Sequence, residues 1–95
     1  MAKGYVIARA IVTNPTAWSE YAQKATAASE AYGGKYLVRG GRCEVAEGEA
    51  RARNVVIEFE SFDAARSYAH SAEYAEARKL REHAGVIDFL IVEGV

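Results

Sequence analysis

The order of strand-like and helix-like segments constrains the fold of this chain more than any other feature of its sequence. Four segments, residues 5–12, 35–39, 54–60 and 89–92, are rich in β-branched and aromatic residues over the length of a strand. Between the first two, and again between the last two, apolar residues recur at three- and four-residue spacing, which is typical of amphipathic helices. The sequence therefore predicts the order β-α-β-β-α-β.

Residues with strong capping preferences mark where the helical stretches begin and divide. Asn14 can cap a helix that begins at Pro15, a position where no N–H is needed. In the second stretch, a break at His70 separates a short helix over residues 62–69 from a helix over residues 73–83. This order is the ferredoxin-like split pattern of an α+β protein, with a four-stranded antiparallel sheet and both helices on one face.

Size, charge and cysteine content narrow the possible functions. A chain of 95 residues has the size of one domain, so we expect a single domain over residues 1–95. The net charge is −1, with Lys and Arg spread along the chain, which argues against a nucleic-acid partner. No apolar segment approaches the roughly 20 residues that span a bilayer, so we expect no membrane partner. Cys43 is the only cysteine, which excludes an intrachain disulfide and favours a cytoplasmic location.

The sheet face away from the helices is predicted to be apolar with a few charges. Counting from a turn at residues 47–48 places Tyr36 opposite Phe59 and Val38 opposite Ile57, and these core-like pairs would face the helices. A bulge at the double glycine after the second strand would slip this register by one residue. The open face would carry Tyr5, Ile7, Arg9, Ile11, Leu37, Arg39, Val56 and Glu58. Because monomers rarely expose so large an apolar face, we expect a second copy to cover it, which makes the protein a homodimer.

Charged side chains on the open face form a first candidate site. Arg9, Arg39 and Glu58 would point into the space between the two sheets of the dimer. There, arginine and carboxylate groups can bind an anionic or carbonyl-bearing small molecule. The alternative is an internal ion-pair network that only fixes the register of the dimer.

A second candidate site lies at the break in the second helical stretch. Tyr68, His70, Tyr74 and Arg78 cluster there, and His70 is the best general acid/base by its ordinary pKa. The alternative is that the histidine ends a helix and the tyrosines pack at the edge of the core. The catalytic candidates are His70, Tyr74 and Glu58, and the substrate-binding candidates are Arg9, Arg39, Tyr68 and Arg78. The sequence has no metal-ligand spacing and no dinucleotide fingerprint, so we expect no metal and no cofactor.

Five segments spread over nearly the whole chain carry a resemblance to a known family. They are residues 3–7 (KGYVI), 32–41 (YGGKYLVRGG), 55–59 (VVIEF), 71–74 (SAEY) and 92–95 (VEGV). In this combination the chain resembles the domain of unknown function 1330 family, within the dimeric α/β-barrel superfamily. It departs from the family at Ala72, where the family usually has a proline at the first position of a helix.

The resemblance implies a ferredoxin-like protomer and a dimer, but no settled activity. Related proteins of the superfamily include small monooxygenases that use no metal or flavin, haem-degrading enzymes, lactone isomerases and stress-responsive proteins. Two hypotheses follow. The protein is a cofactor-independent enzyme, monooxygenase-like or isomerase-like, that acts on a small aromatic or carbonyl metabolite. Alternatively, it is a non-catalytic dimer that binds a small molecule or has a structural role, since fold alone does not determine function.

Overall fold

A computed structural model describes residues 2–95; Met1, where the predicted domain begins, lies outside the described residues. The elements are β1 (Gly4–Val12), α1 (Pro15–Ala31), β2 (Lys35–Arg39), β3 (Arg53–Phe59), α2 (Phe62–Ala69), α3 (Ala72–Leu80) and β4 (Gly85–Glu93). The strands form one antiparallel sheet in the order β2-β3-β1-β4. The predicted ferredoxin-like α+β fold is therefore confirmed.

The second helical stretch consists of two helices, α2 and α3, because the predicted break is real. The hydroxyl of Ser71 donates to the carbonyl of Tyr68 at 2.7 Å and accepts from the backbone N–H of Tyr74 at 3.0 Å. One side chain thus ends α2 and begins α3. The last strand is longer than predicted, because β4 begins at Gly85 rather than at Phe89.

The core lies between the helices and one face of the sheet. Val6, Ile57 and Phe59 are buried on that face. The ring of Tyr68 from α2 stacks on Phe59 at 5.3 Å between centroids, and Tyr74 from α3 contacts Tyr68 at the same centroid distance. Aromatic packing therefore joins the two short helices to the sheet.

The register between β2 and β3 differs from the predicted one. Tyr36 lies opposite Ile57, not Phe59, and Val38 lies opposite Val56, not Ile57. The pairing at Tyr36 is displaced by two residues, which keeps its face, and a register shift between Tyr36 and Val38 reduces the displacement to one residue, which moves Val38 to the other face. Tyr36 keeps its predicted place on the helix side, but Val38 is on the open face.

Arg39 is on the helix side of the sheet, so its predicted place on the open face is wrong. It pairs with Val55, which packs against the core. The residues that join β2 to β3 form a long exposed connection over residues 40–52, not a tight hairpin. Counting from a tight turn therefore had no firm basis.

Gly4 is required at the start of β1 by close packing. A Cβ at this position would collide with backbone atoms of Ser61 and Phe62, where α2 begins. We expect Gly4→Ala to lower the free energy of unfolding by about 2–3 kcal/mol, because backbone cannot move aside as a side chain can. Urea denaturation measures this. Gly41→Ala is the control, since nothing lies within 4 Å of its Cβ position, and an equal loss in both variants would contradict the packing argument.

Candidate functional site

A cavity of about 50 Å³ lies between the helix side of the sheet and α1. Its walls are mainly apolar and aromatic. The sheet contributes Val6, Ala8 and Ile57, and the helices contribute Trp18, Tyr21 and Tyr68. Ala8 on β1 is small and leaves space beneath α1, whereas the larger side chains around it form the other walls of the cavity.

Two arginines lie at one corner of this cavity, and the strand register explains why. Arg39 on β2 pairs with Val55 on β3. Arg53 is two residues before Val55, so its side chain is on the same face. Diagonal neighbours of this kind are roughly 7–8 Å apart. Both arginines line the cavity, and the shifted register is what brings them together.

Contacts hold the two arginines in different ways. The guanidinium of Arg39 lies 3.7 Å from the ring centroid of Tyr36, a cation–π contact, and the Tyr36 hydroxyl is 3.2 Å from that of Thr26 on α1. Arg53 is half-buried, and its Nε is buried without a hydrogen-bond partner among the described residues. Gly40 leaves space for it, because a Cβ there would collide with Nη1 of Arg53.

The phenols of Tyr21 and Tyr68, which line the cavity, are protonated at neutral pH. The hydroxyls of Tyr21 and Tyr74 are 2.9 Å apart, and the hydroxyl of Tyr68 donates to the carbonyl of Ala25 at 3.3 Å. Burial raises the pKa of Tyr21, as does the neighbouring Tyr74, and burial is also the main cause that raises the pKa of Tyr68. These groups can hold a ligand by hydrogen bonds, but they are not bases at neutral pH.

The predicted open-face charges lie apart from the cavity. Arg9 is on the open face opposite Asn54 and Asp88. Glu58 is on the same face, where one of its carboxylate oxygens accepts a hydrogen bond from the hydroxyl of Tyr5 at 3.2 Å. The sheet therefore separates Arg9 and Glu58 from Arg39, with which the sequence had grouped them.

The predicted cluster at the helix break is only partly brought together. Tyr68 and Tyr74 are buried and in contact. His70 ends α2 as an exposed residue, and Arg78 is exposed on α3. Of the four, only Tyr68 lines the cavity.

Arg53 is the charged cavity residue that the sequence analysis missed. The predicted strand began at Asn54 and so excluded it. The signal was present, since Arg53, Val55, Ile57 and Phe59 alternate along one face of β3. Extending the strand by one residue would have placed an arginine beside the core.

Within residues 2–95, no group of three or more His, Cys, Asp or Glu side chains is arranged to hold a metal ion. No helix in that part of the chain is long and apolar enough to cross a membrane.

Solved structures with this fold come from several bacteria. A protein of unknown function from Rhodopseudomonas palustris is 18% identical, with a TM-score of 0.79 over 99% of this chain and 83% of that one. A dimeric protein of unknown function with a ferredoxin-like fold from Bacteroides fragilis is 13% identical, with a TM-score of 0.64 over 96% and 95% of the two chains. A protein of the ethyl tert-butyl ether d (ethd) family from Bacillus halodurans is 14% identical, with a TM-score of 0.60 over all of both chains. These similarities show the fold.

Family membership follows from the sequence itself. No curated protein matches the chain significantly. The family model described as "Domain of unknown function (DUF1330)" matches residues 3–95. The resemblance carried by the five quoted segments is thus confirmed over nearly the full length, and the chain belongs to the DUF1330 family.

Proposed function

We propose that this protein is a homodimer that binds a small, mainly apolar or aromatic molecule in the cavity between the sheet and α1. The observation that carries the proposal is the cavity itself, which aromatic and aliphatic side chains line and which has arginines at one corner. Ligand sites typically combine an apolar wall with a few polar groups that fix orientation.

The size of the cavity limits the ligand. A volume of about 50 Å³ is about a third of the roughly 150 Å³ of a cavity that binds benzene, so a ring-sized ligand cannot lie wholly inside it. Trp18, Ala22 and Arg53 also line an adjoining surface groove, which provides a route into the cavity. The molecule bound is therefore small, and part of it lies in this groove beside Arg53.

Binding is favoured over the alternative, a cofactor-independent monooxygenase-like or isomerase-like reaction. Such a reaction on an aromatic or carbonyl metabolite needs a group that removes a proton. The titratable side chains that line the cavity are Tyr21, Tyr36, Arg39, Arg53 and Tyr68. The raised pKa values of Tyr21 and Tyr68 keep both protonated, so they suit recognition better than proton abstraction.

The open face supports the homodimer. Val38, Val56, Ile7 and Leu90 form one apolar row across all four strands. Val38 and Leu90, at the two ends of this row, are 42% and 41% exposed, and monomers rarely expose a contiguous apolar row. A second copy would remove this row from water. The solved ferredoxin-like structure from Bacteroides fragilis is of a dimeric protein, which supports a homodimer here.

Two further parts of the proposal concern the whole chain. We propose that residues 1–95 act as one domain, since the helices pack on a single sheet. We also propose a cytoplasmic location, because the only cysteine, Cys43, is exposed and free, which suits a reducing compartment.

Blocking the cavity tests the binding function. Benzyl alcohol, a small neutral aromatic, is expected to stabilise the wild-type protein. At ten times its Kd it adds about 1.4 kcal/mol, which raises Tm by roughly 7 °C. Ala22→Leu places extra carbons where the cavity meets the groove, and is expected to abolish the shift. Ala27→Leu, at an exposed position of the same helix, is the control and should keep it. No shift in the wild type, or an equal shift in Ala22→Leu, would refute the cavity as the binding site.

A further inference from the structure

We infer that the ligand of this site is a small monocarboxylate, with its carboxylate group held by Arg53 and Arg39 and its apolar part shared between the cavity and the adjoining groove. The inference rests on the proposed binding function and names the chemical class of the ligand. Three observations carry it, namely the charge of the lining, the unpartnered donor of Arg53, and the division of the cavity into a cationic corner and an apolar interior.

The lining has an uncompensated positive charge. It includes Arg39 and Arg53, and its other residues are apolar, aromatic or hydroxyl-bearing. In the described part of the chain, the ion pairs join Arg51 to Asp88 and Lys79 to Glu76, so neither cavity arginine has a carboxylate partner. Two cations on neighbouring strands repel each other, and an anion bound between them attracts both, which makes the sum of the three interactions favourable.

Arg53 supplies a donor without a partner, which a carboxylate would reach once the side chain shifts, because the atom is closed to water-sized molecules in this conformation. Its Nε is buried and has no hydrogen-bond partner among residues 2–95, an arrangement with a desolvation cost that a ligand can offset. Guanidinium groups bind carboxylates with two parallel N–H donors, which a lysine cannot reproduce. Arg39 adds a second cation, which its contact with Tyr36 holds at the same corner.

The remainder of the cavity specifies what the carboxylate is attached to. Away from the arginines, Trp18, Tyr21, Ile57 and Phe89 provide aromatic and aliphatic walls. A fully hydrated anion such as phosphate would leave these walls without a partner. A carboxylate with a small ring or branched chain satisfies both ends of the site, so we expect benzoate to be an adequate probe.

Comparing benzoate with benzyl alcohol tests the inference, because the two molecules differ mainly in charge. We expect sodium benzoate to bind at least tenfold more tightly in calorimetric titrations at constant ionic strength. This corresponds to roughly one charge-assisted hydrogen bond. In ¹⁵N-resolved NMR spectra, the Nε–H resonance of Arg53 should shift with benzoate and not with chloride.

Variants of Arg53 provide the second measurement. Arg53→Met and Arg53→Lys are each expected to lower the ratio of benzoate to benzyl alcohol affinity about tenfold or more. Arg66→Met is the matched control, since Arg66 is exposed on α2 and does not line the cavity. Circular dichroism and the residual benzyl alcohol titration show whether each variant is folded.

The possible outcomes separate this inference from the proposed function. If benzyl alcohol binds and benzoate binds no more tightly, the carboxylate inference is wrong and the binding function stands. If neither binds, the binding function itself fails. An unchanged affinity ratio in Arg53→Met would show that Arg53 is not the anchor. Displacement of benzoate by inorganic phosphate at a similar concentration would show a general anion site, and would also overturn the inference.

Discussion

An Ile7→Asp protein is expected to be a monomer at concentrations at which the wild-type protein is a dimer. Ile7 lies at the middle of the apolar row of the open face, paired with Val56 on one side and Leu90 on the other. Aspartate here would place one carboxylate from each copy in a dry interface, with a cost of several kcal/mol per ion. We therefore expect the dimer Kd to rise more than a hundredfold, as measured by sedimentation velocity from 1 to 100 µM.

The control for Ile7→Asp is a similar change outside the open face. Val45→Asp introduces the same charge at an exposed apolar residue in the connection between β2 and β3. It should stay dimeric. The Ile7→Asp monomer should keep its far-ultraviolet circular dichroism, because its aspartate is in contact with water once the partner has left. A wild-type protein that is monomeric at 100 µM, or an Ile7→Asp protein that is dimeric at 1 µM, would contradict this interface.

The same surface favours an interface role for two of the predicted site residues. Arg9 and Glu58 lie on the open face, on the opposite side of the sheet from the cavity. Arg51 binds Asp88 at 3.3 Å and also donates to the carbonyl of Arg9 at 3.2 Å, so charges surround the apolar row on this face. In the proposed dimer these groups would lie between the copies. This placement supports the alternative in which they fix the register of the dimer.

The elements that sequence could predict are those specified by local chemistry. The faces of β1 follow from the alternation of Val6, Ala8 and Ala10 with larger residues, and all three are buried as expected. The start of α1 follows from Asn14, whose side chain accepts from the N–H of Ala17 at 3.2 Å. Both features depend only on neighbours within a few residues, so their prediction did not require the tertiary fold.

The candidate site was not predictable in the same way, because it depends on pairing between strands. A one-residue shift between Tyr36 and Val38 decides on which side of the sheet Arg39 lies. The residues near it have no turn signal strong enough to fix the register, since the connection over residues 40–52 is long. The grouping of Arg39 with Arg53 therefore appeared only in the structure.

Alkaline pH is expected to destabilise the protein through its buried tyrosines. Burial raises the pKa of Tyr21 and Tyr68 above the ordinary value of 10 in the folded state. Below pH 10 both residues are protonated in the folded and unfolded states alike, so their contribution to stability is fully present. Above pH 10 the unfolded chain ionises them and the folded chain does not. Stability therefore falls as pH rises, by about 1.4 kcal/mol per pH unit for each such tyrosine.

Replacing one of these tyrosines isolates its part of the effect. Tyr68→Phe removes one group that only the unfolded state ionises, so between pH 10 and 11.5 its free energy of unfolding should fall less steeply than that of the wild type, by about 1.4 kcal/mol per pH unit. Urea denaturation at fixed protein concentration measures both slopes. Tyr32→Phe is the comparison, because the Tyr32 hydroxyl bonds Glu73 at an exposed position and its removal should change the slope less. Equal slopes in wild type and Tyr68→Phe would mean that Tyr68 ionises within the folded protein, which its burial beneath α1 opposes.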